Sequence, residues 1–142
     1  MSGCKKICVY GSLMKGFFNY KKALEGMVIT CTPAKMRGKL FHQLEKGYPA
    51  LVDGSDWVHG ELLELKDFPQ LLVTMDELEG YYGPGGKTNE YERLMSEVFV
   101  QNSDRWETER AYIYWYARPD LGTKDNPAVY LPEGDWRTYM HS

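Results

Sequence analysis

The stretch Ile7-Cys8-Val9-Tyr10-Gly11-Ser12-Leu13-Met14-Lys15-Gly16 is a short apolar strand that runs directly into a glycine-bracketed turn with a hydroxyl inside it. Such a turn exposes consecutive backbone N–H groups, which can hold a carboxylate or another anion. It does not have the form of a nucleotide loop. The spacing of Gly11 and Gly16 fits the start of a G-x-x-x-x-G-K-[ST] loop, but Phe17 and Phe18 stand where Lys and Ser or Thr are required. No G-x-G-x-x-G follows the strand. The turn therefore reads as an anion holder, and its partner chemistry must come from elsewhere in the chain.

The length of 142 residues fits one domain, residues 1–142, with a real core. A net charge of −3, with no basic stripe, argues against a nucleic-acid partner. Three cysteines (Cys4, Cys8, Cys31) without a C-x-x-C argue against a disulfide framework or a zinc site. His42, His59 and His141 lie far apart in sequence and read as surface or packing residues. No signal peptide and no bilayer-spanning segment is legible, so the expected setting is soluble and cytoplasmic.

The pattern along the chain is rich in strands. Lys5–Tyr10 reads as a first, central strand, and Asn19–Glu25 as one or two helical turns closed by Gly26. Val28–Thr32 and Lys35–Leu44 read as strands, and Tyr48–Val52 as a short edge strand, because Pro49 lacks a donor. Asp53-Gly54-Ser55 reads as a turn, and Trp57–Leu65 as a strand with a bulge or bend at Gly60. Asp67–Glu79 is the best helix, with Asp67 as N-cap and Gly80 as stop. Tyr91–Val100 and Glu109–Arg118 read as long strands joined by a hairpin over Gln101–Thr108. Pro119–Ser142 looks mostly irregular. The class is α+β, with a sheet that curls toward a small barrel.

In the helix, Phe68, Leu71, Leu72, Met75 and Leu78 cluster on one side at about 100° per residue. Glu79 follows Met75 by four positions and Leu72 by seven, so it projects from the same apolar stripe, whereas Glu77 points to water and Asp76 lies at the margin. Burial and the negative helix end both raise a carboxyl's pKa, which lets it take and return a proton near neutrality. The alternative is that Glu79, in the last turn, swings out to solvent or pairs with Arg93. In Ala111-Tyr112-Ile113-Tyr114-Trp115-Tyr116 the three tyrosines share one strand face, as do Tyr91 and Arg93 on the preceding strand. They line a polar pocket or half-bury in an ordinary amphipathic sheet, with Tyr114 the best pocket candidate. Gly83-Pro84-Gly85-Gly86-Lys87-Thr88 is not a phosphate loop either, because Tyr81 stands where a glycine is required. It reads as a solvated loop or a lid.

Three blocks, in order, resemble the γ-glutamylcyclotransferase-like family, which includes γ-glutamylamine cyclotransferases and AIG2-like proteins. They are Val9–Gly16; Tyr48-Pro49-Ala50-Leu51 with Val58-His59-Gly60-Glu61-Leu62; and Met75-Asp76-Glu77-Leu78-Glu79-Gly80 with Tyr91-Glu92-Arg93. The resemblance implies a small mixed β-barrel flanked by a few helices. It implies that Tyr10, Gly11, Ser12 and Leu13 form the substrate turn and that Glu79 is the general acid/base. The residue reading adds Tyr91 and Tyr114 to the substrate pocket. The loop between Glu79 and Tyr91 is longer than in compact members of the family.

The activity so implied is cyclisation of a small γ-glutamyl amine or γ-glutamyl amino acid to 5-oxoproline with release of the amine. It needs no metal or organic cofactor. The alternative is a binding or sensing module that keeps the pocket without turnover. A serine hydrolase built on Ser12 is disfavoured, since there is no G-x-S-x-G and no histidine placed as its base.

Overall fold

A computed structural model describes residues 6–141. In chain order the elements are β1 (Lys6–Val9), one π-helical turn (Tyr20–Leu24), β2 (Val28–Gln43), β3 (Pro49–Leu65), α1 (Phe68–Leu78), β4 (Tyr91–Asn102), β5 (Arg105–Tyr116), β6 (Ala128–Leu131) and α2 (Trp136–Met140). Lys5, Cys4 and Ser142, each part of an expectation above, lie outside the described residues.

The sheet order is β3-β1-β5-β4-β2-β6, and β3 also pairs with β2. The strands therefore form a curved sheet that closes on itself as a ring, with β6 added on the free part of the β2 edge. β1 runs antiparallel to β3, from Lys6 opposite Glu64 to Val9 opposite Glu61, and parallel to β5, with Ile7 opposite Tyr112. This makes the sheet mixed and the class α+β, as the strand-rich sequence implies. β1 is central, with ladders on both edges and Ile7, Cys8 and Val9 buried. Leu40, Leu51, Val58, Leu63, Val98 and Ile113 fill the interior at essentially zero exposure.

Several expectations change. Val28–Thr32 and Lys35–Leu44 are not two strands but one, β2. Asp53-Gly54-Ser55 is not a turn between strands, because β3 is continuous through it. Gly38 pairs with Asp56 and Lys39 with Val52, so these residues bulge out of the β2–β3 ladder. Glycine is needed there, since a Cβ on Gly54 would lie 2.8 Å from the Lys39 Cβ and 3.0 Å from the Gly38 carbonyl carbon. Gly60 lies in regular register, so it marks close approach rather than a bulge: a Cβ there would lie 2.3 Å from the Val9 carbonyl oxygen. The β4–β5 hairpin turns on Ser103 and Asp104 alone, with Ser103 at φ 60, so most of the expected loop is strand. Finally, the tail contains β6 and α2, whose N-cap Asp135 accepts a hydrogen bond from the Thr138 N–H at 3.1 Å.

The helix α1 starts at Phe68 with Pro69 in its first turn. Asp67 precedes it in the left-handed region (φ 49) and its side chain makes no capping bond, which corrects its reading as a side-chain N-cap. Phe68 and Met75 are buried, and Leu71, Leu72 and Leu78 are partly so. The apolar stripe thus seats the helix on the ring and delivers its C-terminal end to the mouth of β1.

Candidate active site

β1 ends at Val9 and the chain enters the turn. Gly11 packs against Pro49 at the start of β3, where a Cβ would lie 2.7 Å from the ring Cγ. The turn is braced from several sides. The Gly11 carbonyl accepts from the Met14 N–H at 2.9 Å, and the Ser12 carbonyl from the Tyr20 N–H at 3.1 Å. Asn19 Nδ2 donates to Ser12 Oγ at 2.8 Å, and the Lys15 N–H donates to Glu61 Oε1 at 2.9 Å. Arg137 of α2 donates to the Lys15 carbonyl at 2.9 Å and to Glu61 Oε2 at 3.0 Å. Among the described residues, none accepts a hydrogen bond from the N–H groups of Gly11, Ser12 or Leu13. The braces consume the turn's carbonyls and leave these three donors available.

Glu79 caps the C-terminal end of α1, its own N–H bonded to the Met75 carbonyl at 2.9 Å. It lines the same pocket as Tyr10, Gly11, Ser12 and Leu13, together with Asn19, Tyr48, Pro49, Leu78, Tyr91 and Tyr114. All seven residues singled out from the sequence therefore meet in one cavity. Arg93 does not pair with Glu79. It grips Asp76, with Nε to Oδ1 at 2.8 Å and a terminal nitrogen to Oδ2 at 3.2 Å. Among the described residues none donates to the Glu79 carboxyl. Burial, then the charges of Glu90 and Asp76, push its pKa from 4.5 up to about 8.

The phenols around it are committed to particular partners. Tyr10 donates to the Tyr114 carbonyl at 2.5 Å and Tyr91 to the Pro49 carbonyl at 2.5 Å. Tyr114 donates to Asp76 Oδ1 at 2.6 Å, and Tyr48 donates to Glu90 Oε2. Burial raises the pKa of all four, so they remain protonated donors. The shared face of the three β5 tyrosines is divided among different neighbours. Only Tyr114 lines the pocket; Tyr112 stacks on Phe68 under the Arg93 guanidinium, and Tyr116 joins a polar cluster with Lys46, Asp120 and Asn126.

Asn19, Tyr48, Asp76 and Glu90 were not singled out as site residues. Tyr48 had a signal, since it sits in the second block of the resemblance, but its approach to Glu90 spans 42 residues. Cys8 also lines the pocket, its thiol pushed up by burial and then by Glu61, so it is not a thiolate. His42 is buried and accepts from Trp136 Nε1 at 3.0 Å, a packing role away from the cavity. The loop Gly83–Thr88 does not line the pocket. Buried Asn89 ties it down, donating to the Gly83 carbonyl at 2.8 Å and accepting from the Tyr82 N–H at 2.7 Å. No helix among the described residues is long and apolar enough to cross a membrane.

Chemically, the pocket pairs three backbone donors with one carboxyl whose pKa is pushed up to about 8.

Comparison with known proteins gives the family and the fold. A curated relative, the γ-L-glutamyl-butirosin B γ-glutamyl cyclotransferase of Niallia circulans, is 31% identical over 132 residues, covering 92% of this chain and 74% of the relative. An AIG2-like protein of Mus musculus superposes with a TM-score of 0.62 at 24% identity, covering 82% of this chain and 80% of the other. YkqA of Bacillus subtilis superposes with a TM-score of 0.63 at 19% identity over 96% of this chain, which spans 40% of that protein. At these identities the two structures speak to the fold. The family model described as "Gamma-glutamyl cyclotransferase, AIG2-like" matches residues 7–138, and the chain belongs to that family.

Proposed function

We propose that the protein is a γ-glutamyl cyclotransferase that converts a γ-glutamyl amine or γ-glutamyl amino acid to 5-oxoproline and the free amine. The observation that carries this is the placement of the unbonded Glu79 carboxyl in one pocket with the unbonded N–H groups of Gly11, Ser12 and Leu13. The Niallia circulans relative supports it, being named for that reaction type.

The reaction is intramolecular, so the site mainly folds the substrate until its α-nitrogen reaches its own γ-carbonyl carbon. The turn amides hold the α-carboxylate or the oxyanion that develops on the γ-carbonyl oxygen. Ionised Glu79 takes a proton from the α-ammonium. The freed amine attacks, forming the new C–N bond, and the old amide C–N bond breaks. Two protons leave the α-nitrogen in all, and the departing nitrogen gains two, ending as an ammonium. Glu79 ferries them in turn, a task for which a pKa near neutrality is matched. The phenols of Tyr10, Tyr91 and Tyr114 stay protonated and shape the wall.

The test is incubation with a panel of γ-glutamyl amines and γ-glutamyl amino acids, with 5-oxoproline as the readout. Formation from at least one member is the expected result. If none yields 5-oxoproline while ligands still bind, the pocket is that of a binding module.

A further inference from the structure

Glu90 stands just before β4 and folds against the residue that follows Glu79. Its N–H donates to the Gly80 carbonyl at 3.0 Å. Gly80 has φ +65, and a Cβ there would lie 3.3 Å from the Glu90 Cβ and 3.7 Å from its Oε1, so the missing side chain leaves the space that Glu90 uses. Glu90 Oε2 accepts from the pocket-lining phenol of Tyr48 and from Lys46 Nζ, the latter at 3.1 Å. Lys46 comes from the turn between β2 and β3 and also donates to the Tyr116 hydroxyl at 3.1 Å. Beyond Tyr116 the contacts run through Asn126 (3.0 Å) and Gln43 (2.8 Å) to the Tyr91 hydroxyl (3.1 Å). The chain of polar contacts leaves the pocket wall at Tyr48 and returns to it at Tyr91.

We propose that Lys46 is a positioning residue for this site: by holding the Glu90 carboxylate against the Tyr48 phenol, it sets the field in which Glu79 gains and loses its proton. This rests on the reading of Glu79 as the proton carrier. Two neighbouring carboxylates resist double ionisation, and a cation on one of them relieves the other. The other titratable groups facing Glu79 are already settled. Burial keeps Cys8 of β1, Tyr10 after it, Tyr48 before β3, Tyr91 of β4 and Tyr114 of β5 neutral, and Asp76 on α1, which also pushes Glu79 up, is held in place by Arg93. Glu90 is the neighbour whose carboxylate is paired with a partly exposed lysine of a connecting turn. Its influence on Glu79 is second only to burial itself.

The test is a ¹³C NMR titration of the Glu79 carboxyl in ligand-free protein, its resonance assigned by its loss in Glu79→Gln. Lys46→Met raises the midpoint by about half to one pH unit, and Glu90→Gln lowers it by about one. Lys46→Arg stays close to the parent, and the double variant Lys46→Met/Glu90→Gln follows Glu90→Gln. Where turnover is present, the pH profile of kcat/KM moves with these midpoints. An unmoved or lowered midpoint in Lys46→Met, or an unmoved midpoint in Glu90→Gln, overturns the proposal. Because the titration uses no substrate, shifted midpoints without 5-oxoproline formation refute the proposed reaction alone. Turnover with unmoved midpoints refutes the role of Lys46 alone.

Discussion

Replacing Glu79 by Gln makes the protein more stable, not less, and does so only above the acid range. The reasoning follows from linkage. A carboxyl whose pKa rises from 4.5 unfolded to about 8 folded binds its proton more tightly in the folded state. As pH climbs through 4.5, the unfolded chain releases that proton while the folded chain keeps it, so stability falls until the folded group also ionises near pH 8. At 1.36 kcal/mol per pH unit, the penalty is about 3 kcal/mol at pH 7 and levels off at about 5 kcal/mol above pH 8. Those figures are ceilings, because Glu79 borders the pocket and water entering it screens part of the charge. About half is a fair expectation. Gln keeps the shape and removes the charge. Urea unfolding of parent and Glu79→Gln at a series of pH values measures the difference directly. The variant gains roughly 2 kcal/mol at pH 8, and the gain vanishes near pH 4.5. A difference that is flat with pH, or a variant less stable at pH 8, refutes the picture of a desolvated, unpaired carboxyl.

Three further outcomes follow from particular contacts. Asp76→Asn strips Arg93 of its charge partner in a partly buried setting, and a loss of about 2 kcal/mol in urea unfolding is expected. The same change lowers the NMR midpoint of Glu79, since Asp76 is one of the two charges that raise it. Gly60→Ala drives a Cβ into the Val9 carbonyl oxygen, which forces β1 off β3 and lowers the thermal midpoint; a variant as stable as the parent contradicts the close approach. Arg137→Ala releases the Lys15 carbonyl and Glu61 and loosens the Gly11–Lys15 turn, so, for the proposed reaction, KM rises about tenfold with kcat less affected; an unchanged KM removes α2 from the site's support.

The parts that were legible in the sequence are those governed by local physics. The β1 turn is written in its two glycines. The α1 stripe placed Glu79 on the inner side, because angular position on a helix depends on spacing alone. The strands of the ring show in their β-branched and aromatic runs. What escaped depends on contacts between distant segments. Gly54 looks like a turn residue in sequence, yet its bare Cα serves close packing of β3 on β2. The tail looks irregular because it is rich in Pro, Gly and Asp, but Asp135 caps a helix whose Arg137 reaches across to the turn, 122 residues away. The face-sharing of Tyr112, Tyr114 and Tyr116 is a period-two feature of a strand. Their different neighbours, a helix, an acid and a lysine cluster, were not encoded in that period. Lys46 and Glu90 carry no motif at all, since charged loop residues look alike until the fold pairs them.

The account turns on whether the Glu79 carboxyl moves the proton, and the most direct measurement is 5-oxoproline release by the parent and by Glu79→Gln, on whichever γ-glutamyl compound the parent accepts. Near-complete loss of turnover in Glu79→Gln, with its unfolding transition intact and ligand binding retained, is the predicted result. Turnover that survives in Glu79→Gln at a rate close to that of the parent contradicts it.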